Sequence, residues 1–138
     1  MGFRLISVLQ RVDEGLVKVK NKIVGKIDRG FVIFLGISKT DKKIDADYLV
    51  EKIINLRVFN DSDKKMNFSI NEIKGSALII SQFTLCADMS KGRRPSFNNA
   101  AEPNKAKSLY QYFIEKVLLK KISVQTGEFG AEMKVELI

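Results

Sequence analysis

Two short apolar runs with no polar face constrain the fold of this chain most. Residues 31–37 and residues 77–80 consist almost entirely of aliphatic and aromatic side chains. A strand with one face in water alternates polar and apolar residues, whereas a strand covered on both faces does not. Both runs therefore predict central strands of a sheet that other elements cover on both sides.

Two amphipathic helices are predicted to supply part of that cover. The first follows Asp41, with the acidic residues Asp45, Asp47 and Glu51 facing away from an apolar stripe formed by Ile44, Tyr48, Leu49, Ile53 and Leu56. The second begins at Pro103, a residue favoured in the first helical turn. Its apolar residues recur at helical spacing: Ala106, Leu109, Tyr110, Phe113, Ile114, Val117 and Leu118.

The remaining strand patterns are short. Residues 3–12, 16–20 and 23–27 suggest a meander of antiparallel strands, and Met133, Val135 and Leu137 share one face of a last strand. No linker or repeat divides the 138 residues. The predicted fold class is α+β: one domain over residues 1–138, with an antiparallel, barrel-like curved sheet and two main helices packed on it.

The chain has no histidine and only one cysteine, Cys86. Serine or cysteine relays that depend on imidazole are therefore excluded, as are histidine zinc sites and intrachain disulfides. Cys86 is expected to be a small buried apolar group. We expect no metal and no cofactor, and an enzyme of this composition needs an unconventional proton acceptor.

A formal charge of +8 favours polyanionic partners such as nucleic acid. A lysine-rich surface without a specific partner has the same composition, so the charge leaves both interpretations open. No apolar run is long enough to span a bilayer, and the N-terminal residues lack the features of a signal peptide. The expected location is the cytoplasm, without membrane association.

Polar residues follow the second apolar strand directly. Ser81, Gln82, Phe83 and Thr84 come at its end, where the backbone is held rigidly. Such side chains either cap the strand through local hydrogen bonds or form a substrate site on a stiff scaffold. The spacing alone does not decide between these two roles.

Two basic segments are further candidates for binding. The loop at residues 91–97 carries Arg93, Arg94 and Phe97, which suit phosphate contact with a base or sugar stacked on the ring. Arg11 follows an apolar strand and is either an ordinary surface residue or a ligand for carbonyl or phosphate oxygens.

Four motifs in order resemble the D-aminoacyl-tRNA deacylase family, of the D-tyrosyl-tRNA deacylase type. They lie at residues 10–12, 81–85, 92–97 and 125–133 and so cover nearly the whole chain. The resemblance implies hydrolysis of the ester of D-aminoacyl-tRNA, releasing the free D-amino acid and tRNA as a translation quality-control step. Glycine mischarged on the alanine tRNA is a further substrate that it allows. The alternatives are a nucleic-acid-binding module of the same fold without hydrolytic activity, and a purely structural dimer.

The resemblance also implies residue roles, all within a homodimer. Catalysis falls to Ser81, Gln82, Phe83 and Thr84, with the backbone N–H groups of Gln82 and Phe83 as oxyanion donors. The substrate-binding residues are Arg11, Phe83, Met133, Arg93, Arg94 and Phe97. Among them, Phe83 and Met133 would line the pocket of the terminal adenosine, Arg11 would steady a segment from the partner subunit, and the basic loop would meet the tRNA acceptor end.

One family signature is missing. The glycine-proline segment that follows the last strand in the family, and that excludes L-amino acids from the partner's pocket, does not occur before Ile138. The expectation is therefore a truncated or incomplete chain, in which chiral discrimination is the least supported part of the function.

Overall fold

The computed structural model describes residues 5–138. The helices are α1 (Lys43–Asn55) and α2 (Pro103–Leu119), with a short 3₁₀ helix at Phe83–Cys86. The strands are β1 (Ile6–Val12), β2 (Gly15–Val19), β3 (Lys22–Ile27), β4 (Gly30–Gly36), β5 (Phe59–Asn60), β6 (Met66–Phe68), β7 (Ser76–Ser81), β8 (Ser123–Thr126) and β9 (Lys134–Leu137). Residues 3 and 4 of the first predicted strand lie outside the described residues.

The two fully apolar runs, β4 and β7, lie side by side in the middle of a four-stranded sheet of order β1-β4-β7-β8. Both are buried on both faces, as predicted. Their direction differs from the prediction, because β4 pairs with β7 and β7 with β8 in parallel, and only β1 and β4 are antiparallel. The chain returns through α1 before β7 and through α2 before β8, and such crossovers place successive strands parallel.

A second sheet, of order β3-β2-β9, is antiparallel throughout. The predicted meander is correct for β2 and β3, whereas β1 pairs with β4 instead. A second core cluster, formed by Val12, Val17, Ile27, Val32, Leu78 and Ile80, draws on strands of both sheets. The backbones approach closely at Gly25, where a Cβ would lie 2.4 Å from the carbonyl oxygen of Thr126. The α+β class is confirmed, and the barrel-like curvature stays a prediction.

The two helices are joined by polar contacts along their seam. Lys116 Nζ lies 3.6 Å from the carboxylate of Asp47, which also accepts a 2.6 Å hydrogen bond from the Tyr112 hydroxyl. Glu51 pairs with Lys120 one turn further on. No helix among residues 5–138 combines the length and apolar composition needed to cross a membrane.

The predicted apolar stripe of α1 is correct only in part. Ile53 is buried and Leu49 packs against the core, whereas Ile44 and Tyr48 are 71% and 69% exposed. The other buried residues of α1 are Ala46, Val50 and Ile54. Asp47 and Glu51, expected on the opposite side, contact lysines of α2. Sequence periodicity does not show which neighbours offer an ion pair, so the predicted stripe is displaced from the buried face.

Candidate active site

The predicted catalytic residues lie where β7 ends and the 3₁₀ helix begins. Ser81 is the last residue of β7 and pairs with Leu35 of β4. The backbone N–H of Gln82 donates a 2.8 Å hydrogen bond to the carbonyl oxygen of Leu35, and that of Leu85 donates to Gln82. The segment is therefore fixed at the carboxyl ends of parallel strands, the edge at which α/β sheets commonly bind ligands.

The hydrogen bond from Gln82 changes the assignment of oxyanion donors. The prediction offered the N–H groups of Gln82 and Phe83, but the first is already bonded to Leu35. Phe83 and Thr84 are the first two residues of the 3₁₀ helix, and N–H groups in the first turn of a helix have no acceptor inside it. The donors available at this strand end are therefore those of Phe83 and Thr84.

A cavity of about 480 Å³ lies beside the strand end. Its lining brings together the motif at residues 81–83 and the motif near the C-terminus: Ile80, Ser81, Gln82, Phe83, Ala101, Pro103, Phe129, Gly130, Ala131, Met133 and Val135. Phe83 and Met133, predicted to share one pocket, do line the same cavity. Its volume falls in the range of small-ligand sites.

Met133 occupies its place because residue 127 has no side chain. A Cβ on Gly127 would lie 2.5 Å from the Met133 sulfur, well inside contact distance. A glycine near the start of the motif at residues 125–133 therefore makes room for the methionine at its end.

The side chains of Gln82 and Thr84 are bonded to each other. The Gln82 amide Nε2 donates to the Thr84 hydroxyl oxygen. An amide NH₂ group only donates and takes no proton. Since the chain also lacks histidine, this hydrogen bond gives Thr84 no general base.

Phe129 was missed by the sequence reasoning, together with Ala101 and Pro103. It lies in the β8–β9 loop and packs on Tyr110 of α2 with ring centroids 5.7 Å apart. The Tyr110 hydroxyl in turn donates a buried 2.7 Å hydrogen bond to Ile79, and burial raises the pKa of Tyr110 to about 12. The available signal was an aromatic residue between Gly127 and Gly130, in a loop otherwise expected to be polar.

The basic loop reaches the mouth of the cavity through an aromatic pair. Phe97 meets Phe83 edge to face, with centroids 5.1 Å apart. Arg93 and Arg94 lie at the exposed tip of the same loop. The structure thus brings Phe97 against the wall of the predicted pocket, whereas neither arginine is among the residues that line it.

Arg11 lies elsewhere in the protomer. In the sheet register it aligns with Ala77, four residues or about 13 Å along the strand from Ser81. Its guanidinium donates to the carbonyl of Val58 at 2.6 Å and to Asn60 at 3.2 Å, and it lines a separate cavity of about 280 Å³. In this structure it does not meet the other predicted site residues.

Cys86 is buried, as expected, and burial raises the pKa of its thiol. Within residues 5–138 no group of histidine, cysteine, aspartate and glutamate side chains is arranged to hold a metal ion.

Together, the fold and the cavity define a class: an α+β domain with a ligand-sized cavity at the carboxyl ends of parallel strands. Comparison with known proteins gives the particular family. The family model described as D-Tyr-tRNA(Tyr) deacylase matches residues 8–138, so the chain belongs to that family, as the resemblance predicted.

Curated relatives agree over nearly their whole length. A protein of Thermosipho melanesiensis named D-aminoacyl-tRNA deacylase is 54% identical over 132 residues, which are 95% of this chain and 88% of the relative. A protein of the same name from Sulfurihydrogenibium sp. is 53% identical over 134 residues, with coverages of 97% and 90%.

Two solved structures are similar as well. One, titled c-Myc DNA Unwinding Element Binding Protein, superposes with a TM-score of 0.88 at 35% identity, covering 95% of this chain and 89% of that one. A second, from a structural analysis of a probable eukaryotic D-amino acid tRNA deacylase, has a TM-score of 0.83 at 18% identity, with coverages of 97% and 93%. The second likeness is one of fold alone.

Proposed function

We propose that this chain hydrolyses the ester that joins a D-amino acid to the terminal ribose of tRNA, releasing the free amino acid and tRNA. The observation that carries the proposal is the convergence of Phe83 and Met133 on one cavity beside a strand end where a 3₁₀ helix begins. Membership of a family whose curated relatives bear the name D-aminoacyl-tRNA deacylase supports the same conclusion.

The cavity holds the terminal adenosine, with Phe83 and Met133 as apolar walls for the base. Attack on the ester carbonyl places negative charge on its oxygen, and fixed backbone donors stabilise that charge without reorganising. The N–H groups of Phe83 and Thr84 act here. The side chains of Ser81 and Gln82 border the cavity beside them and orient the ester.

The proton acceptor comes from the substrate in this scheme. The chain offers no imidazole, so the 2′-hydroxyl of the terminal adenosine assists in activating water while the protein positions and polarises the ester. A nucleophilic Thr84 is the rival mechanism. It is disfavoured because its hydroxyl is bonded to an amide that accepts no proton.

The working form is a homodimer in this proposal. The placement of Arg11 supports it, because Arg11 is too far from Ser81 to serve the same ester within one subunit. In a dimer, Arg11 steadies a segment reaching the pocket from the other subunit. The tRNA acceptor end meets the basic loop, and the cytoplasm, where translation takes place, is the proposed location.

The test follows ester loss from tRNA charged with a D-amino acid and from its L counterpart. Hydrolysis of the D-ester with sparing of the L-ester supports the full proposal. Hydrolysis of both indicates a working pocket without a chiral filter. Loss of neither ester, with tRNA binding intact, rejects hydrolysis.

A second function has one specific observation in its favour. The solved structure at 35% identity is titled as a DNA unwinding element binding protein, and this chain carries a charge of +8. A binding module without hydrolysis would hold single-stranded DNA about as tightly as the acceptor strand of tRNA. Competition between the two nucleic acids, measured beside the hydrolysis assay, separates the functions.

A further inference from the structure

Phe97 touches the cavity wall but does not line the cavity. Phe83 is one of the lining residues, and its ring is 56% exposed; Phe97 packs against it from outside and is 38% exposed. A nucleoside inside the cavity has Phe83 as its wall. Phe97 therefore lies next to that wall, outside the space that the nucleoside would fill.

The backbone around Phe97 is held in place on both sides. Asp88 and Ser96 exchange two N–H to carbonyl hydrogen bonds of 2.8 Å. Beyond Phe97, Ala100 donates to its carbonyl at 3.0 Å, and the N–H of Lys39 donates to Asn99 at 3.0 Å. A ring fixed in this way loses little entropy when a base stacks on it.

The cations of the loop tip are available to a phosphate. Within residues 5–138, Lys91, Arg93 and Arg94 form no ion pair with a carboxylate. The opposite flank differs: a neighbouring cavity, which shares Ala131 with the first, carries Lys18, Lys20 and Lys134 but also Glu128 and Glu132. There Lys18 is bonded to Glu136 at 3.3 Å. Charge therefore favours a polyanion on the Phe97 side.

We propose that Phe97 is the stacking platform for the nucleobase preceding the terminal adenosine, and that Arg93 and Arg94 contact the phosphates of this single-stranded end. Stacking on an aromatic ring needs an unpaired base with an open face, so the site takes single-stranded RNA and not a duplex. This inference rests on the proposed function, because it assumes that the cavity holds the terminal adenosine.

The experiment compares the binding of two ligands that carry the same D-amino acid through a non-hydrolysable amide. One ends in adenosine alone, and the other in the trinucleotide cytidine-cytidine-adenosine. Titration calorimetry gives the ratio of their affinities, and the wild-type protein is expected to prefer the trinucleotide about tenfold or more. Phe97→Ala should lower that ratio about tenfold, whereas Phe97→Trp should preserve it.

Two matched controls sharpen the result. Met89→Ala removes another exposed side chain from the same loop and should leave the ratio unchanged. Arg94→Ala should lower the affinity for the trinucleotide and its dependence on salt, whereas Lys20→Ala, on the opposite flank, should change neither.

The inference is overturned if Phe97→Ala leaves the affinity ratio unchanged, which includes equal losses of affinity for both ligands. It is also overturned if the wild-type protein binds the trinucleotide no more tightly than adenosine alone. Because the ligands are not cleaved, the outcome is independent of hydrolysis. A protein that binds through Phe97 without cleaving D-aminoacyl-tRNA refutes the proposed function alone, and one that cleaves it with an unchanged ratio refutes the platform alone.

Discussion

The hydroxyl of Tyr110 donates a 2.7 Å hydrogen bond to the carbonyl oxygen of Ile79, two residues before the strand end at Ser81. The same carbonyl accepts a longer bond, 3.4 Å, from the N–H of Gly127. Tyr110 thus connects α2 to both walls of the cavity, although it does not line the cavity itself. Its position makes it a support for the site.

Replacing Tyr110 by phenylalanine keeps the ring on Phe129 and removes only the hydroxyl. The free energy of unfolding should fall by about 0.5–1.5 kcal/mol, because the buried Ile79 carbonyl loses its shorter partner but keeps the longer bond from Gly127. The KM for D-aminoacyl-tRNA should rise several-fold, with a smaller change in kcat. Denaturant unfolding and steady-state kinetics measure both effects.

Tyr112→Phe is the matched control for that prediction. It removes a hydroxyl from the same helix, one bonded to Asp47 at the seam with α1 and remote from the cavity. Stability should fall modestly and KM should stay at the wild-type value. A KM that rises equally in both variants would mean that general loosening of α2, not support of the cavity, is responsible.

Alkaline pH should destabilise the protein through the same tyrosine. Burial raises the pKa of Tyr110 from 10.0 to about 12, so the stability contributed by its neutral form is complete below pH 10 and is lost between pH 10 and 12. The upper bound is about 3 kcal/mol, at about 1.4 kcal/mol per pKa unit. Unfolding curves recorded at intervals from pH 9 to 12 should fall more steeply for the wild type than for Tyr110→Phe; parallel curves would contradict the assignment.

Gly127→Ala should displace Met133 from the cavity wall. The new Cβ would lie 2.5 Å from the methionine sulfur, and this flexible side chain can move aside. We expect a loss of stability of about 1 kcal/mol or less and a several-fold weaker affinity for the terminal adenosine. Calorimetry with the adenosine amide ligand tests this.

Gly130→Ala provides the contrast. Gly130 has a φ of +80° and nothing within 4 Å of a Cβ, so alanine there strains the backbone by about 1–2 kcal/mol without touching Met133. If affinity falls by the same factor in both variants, the displaced methionine is not what controls binding, because Gly130 also lines the cavity and its substitution leaves Met133 in place.

Thr84→Ala should retain substantial hydrolysis, within about tenfold of wild type, since the threonine hydroxyl has no base. Replacing the 2′-hydroxyl of the terminal adenosine by hydrogen should abolish turnover. Single-turnover assays measure the hydrolysis rate of Thr84→Ala on the normal substrate and that of the wild type on the 2′-deoxy substrate. Near-total loss of hydrolysis in Thr84→Ala, with tRNA binding intact, would support Thr84 as the nucleophile. Turnover of the 2′-deoxy substrate would refute assistance by the substrate.

Local sequence patterns were sufficient to predict the elements but not their partners. The apolar runs that became β4 and β7 were identified because burial on both faces removes alternation from a strand. Their parallel direction was missed, since a side-chain pattern is the same for either direction of pairing. The buried face of α1 was predicted correctly at Ile53 but not at Ile44 and Tyr48, and Asp47 and Glu51 contact lysines of α2 more than 60 residues away.

The same limit applies within the site. The resemblance predicted that Phe83 and Met133 line one pocket, and both residues line the cavity. The hydrogen bond from the Gln82 N–H to Leu35 depends on a residue 47 positions earlier, and Phe129 packs on a ring of α2. Contacts between distant segments leave no periodic signal in the sequence.

The pairing of β9 with β2 makes one wall of the cavity depend on two segments that are far apart in the chain. Val135 lies opposite Val17, 118 residues earlier. Until β9 pairs, this edge of β2 is open, and unpaired edges are templates for aggregation. A partly folded form that lacks β9 therefore exposes an open sheet edge and an unfinished cavity at the same time.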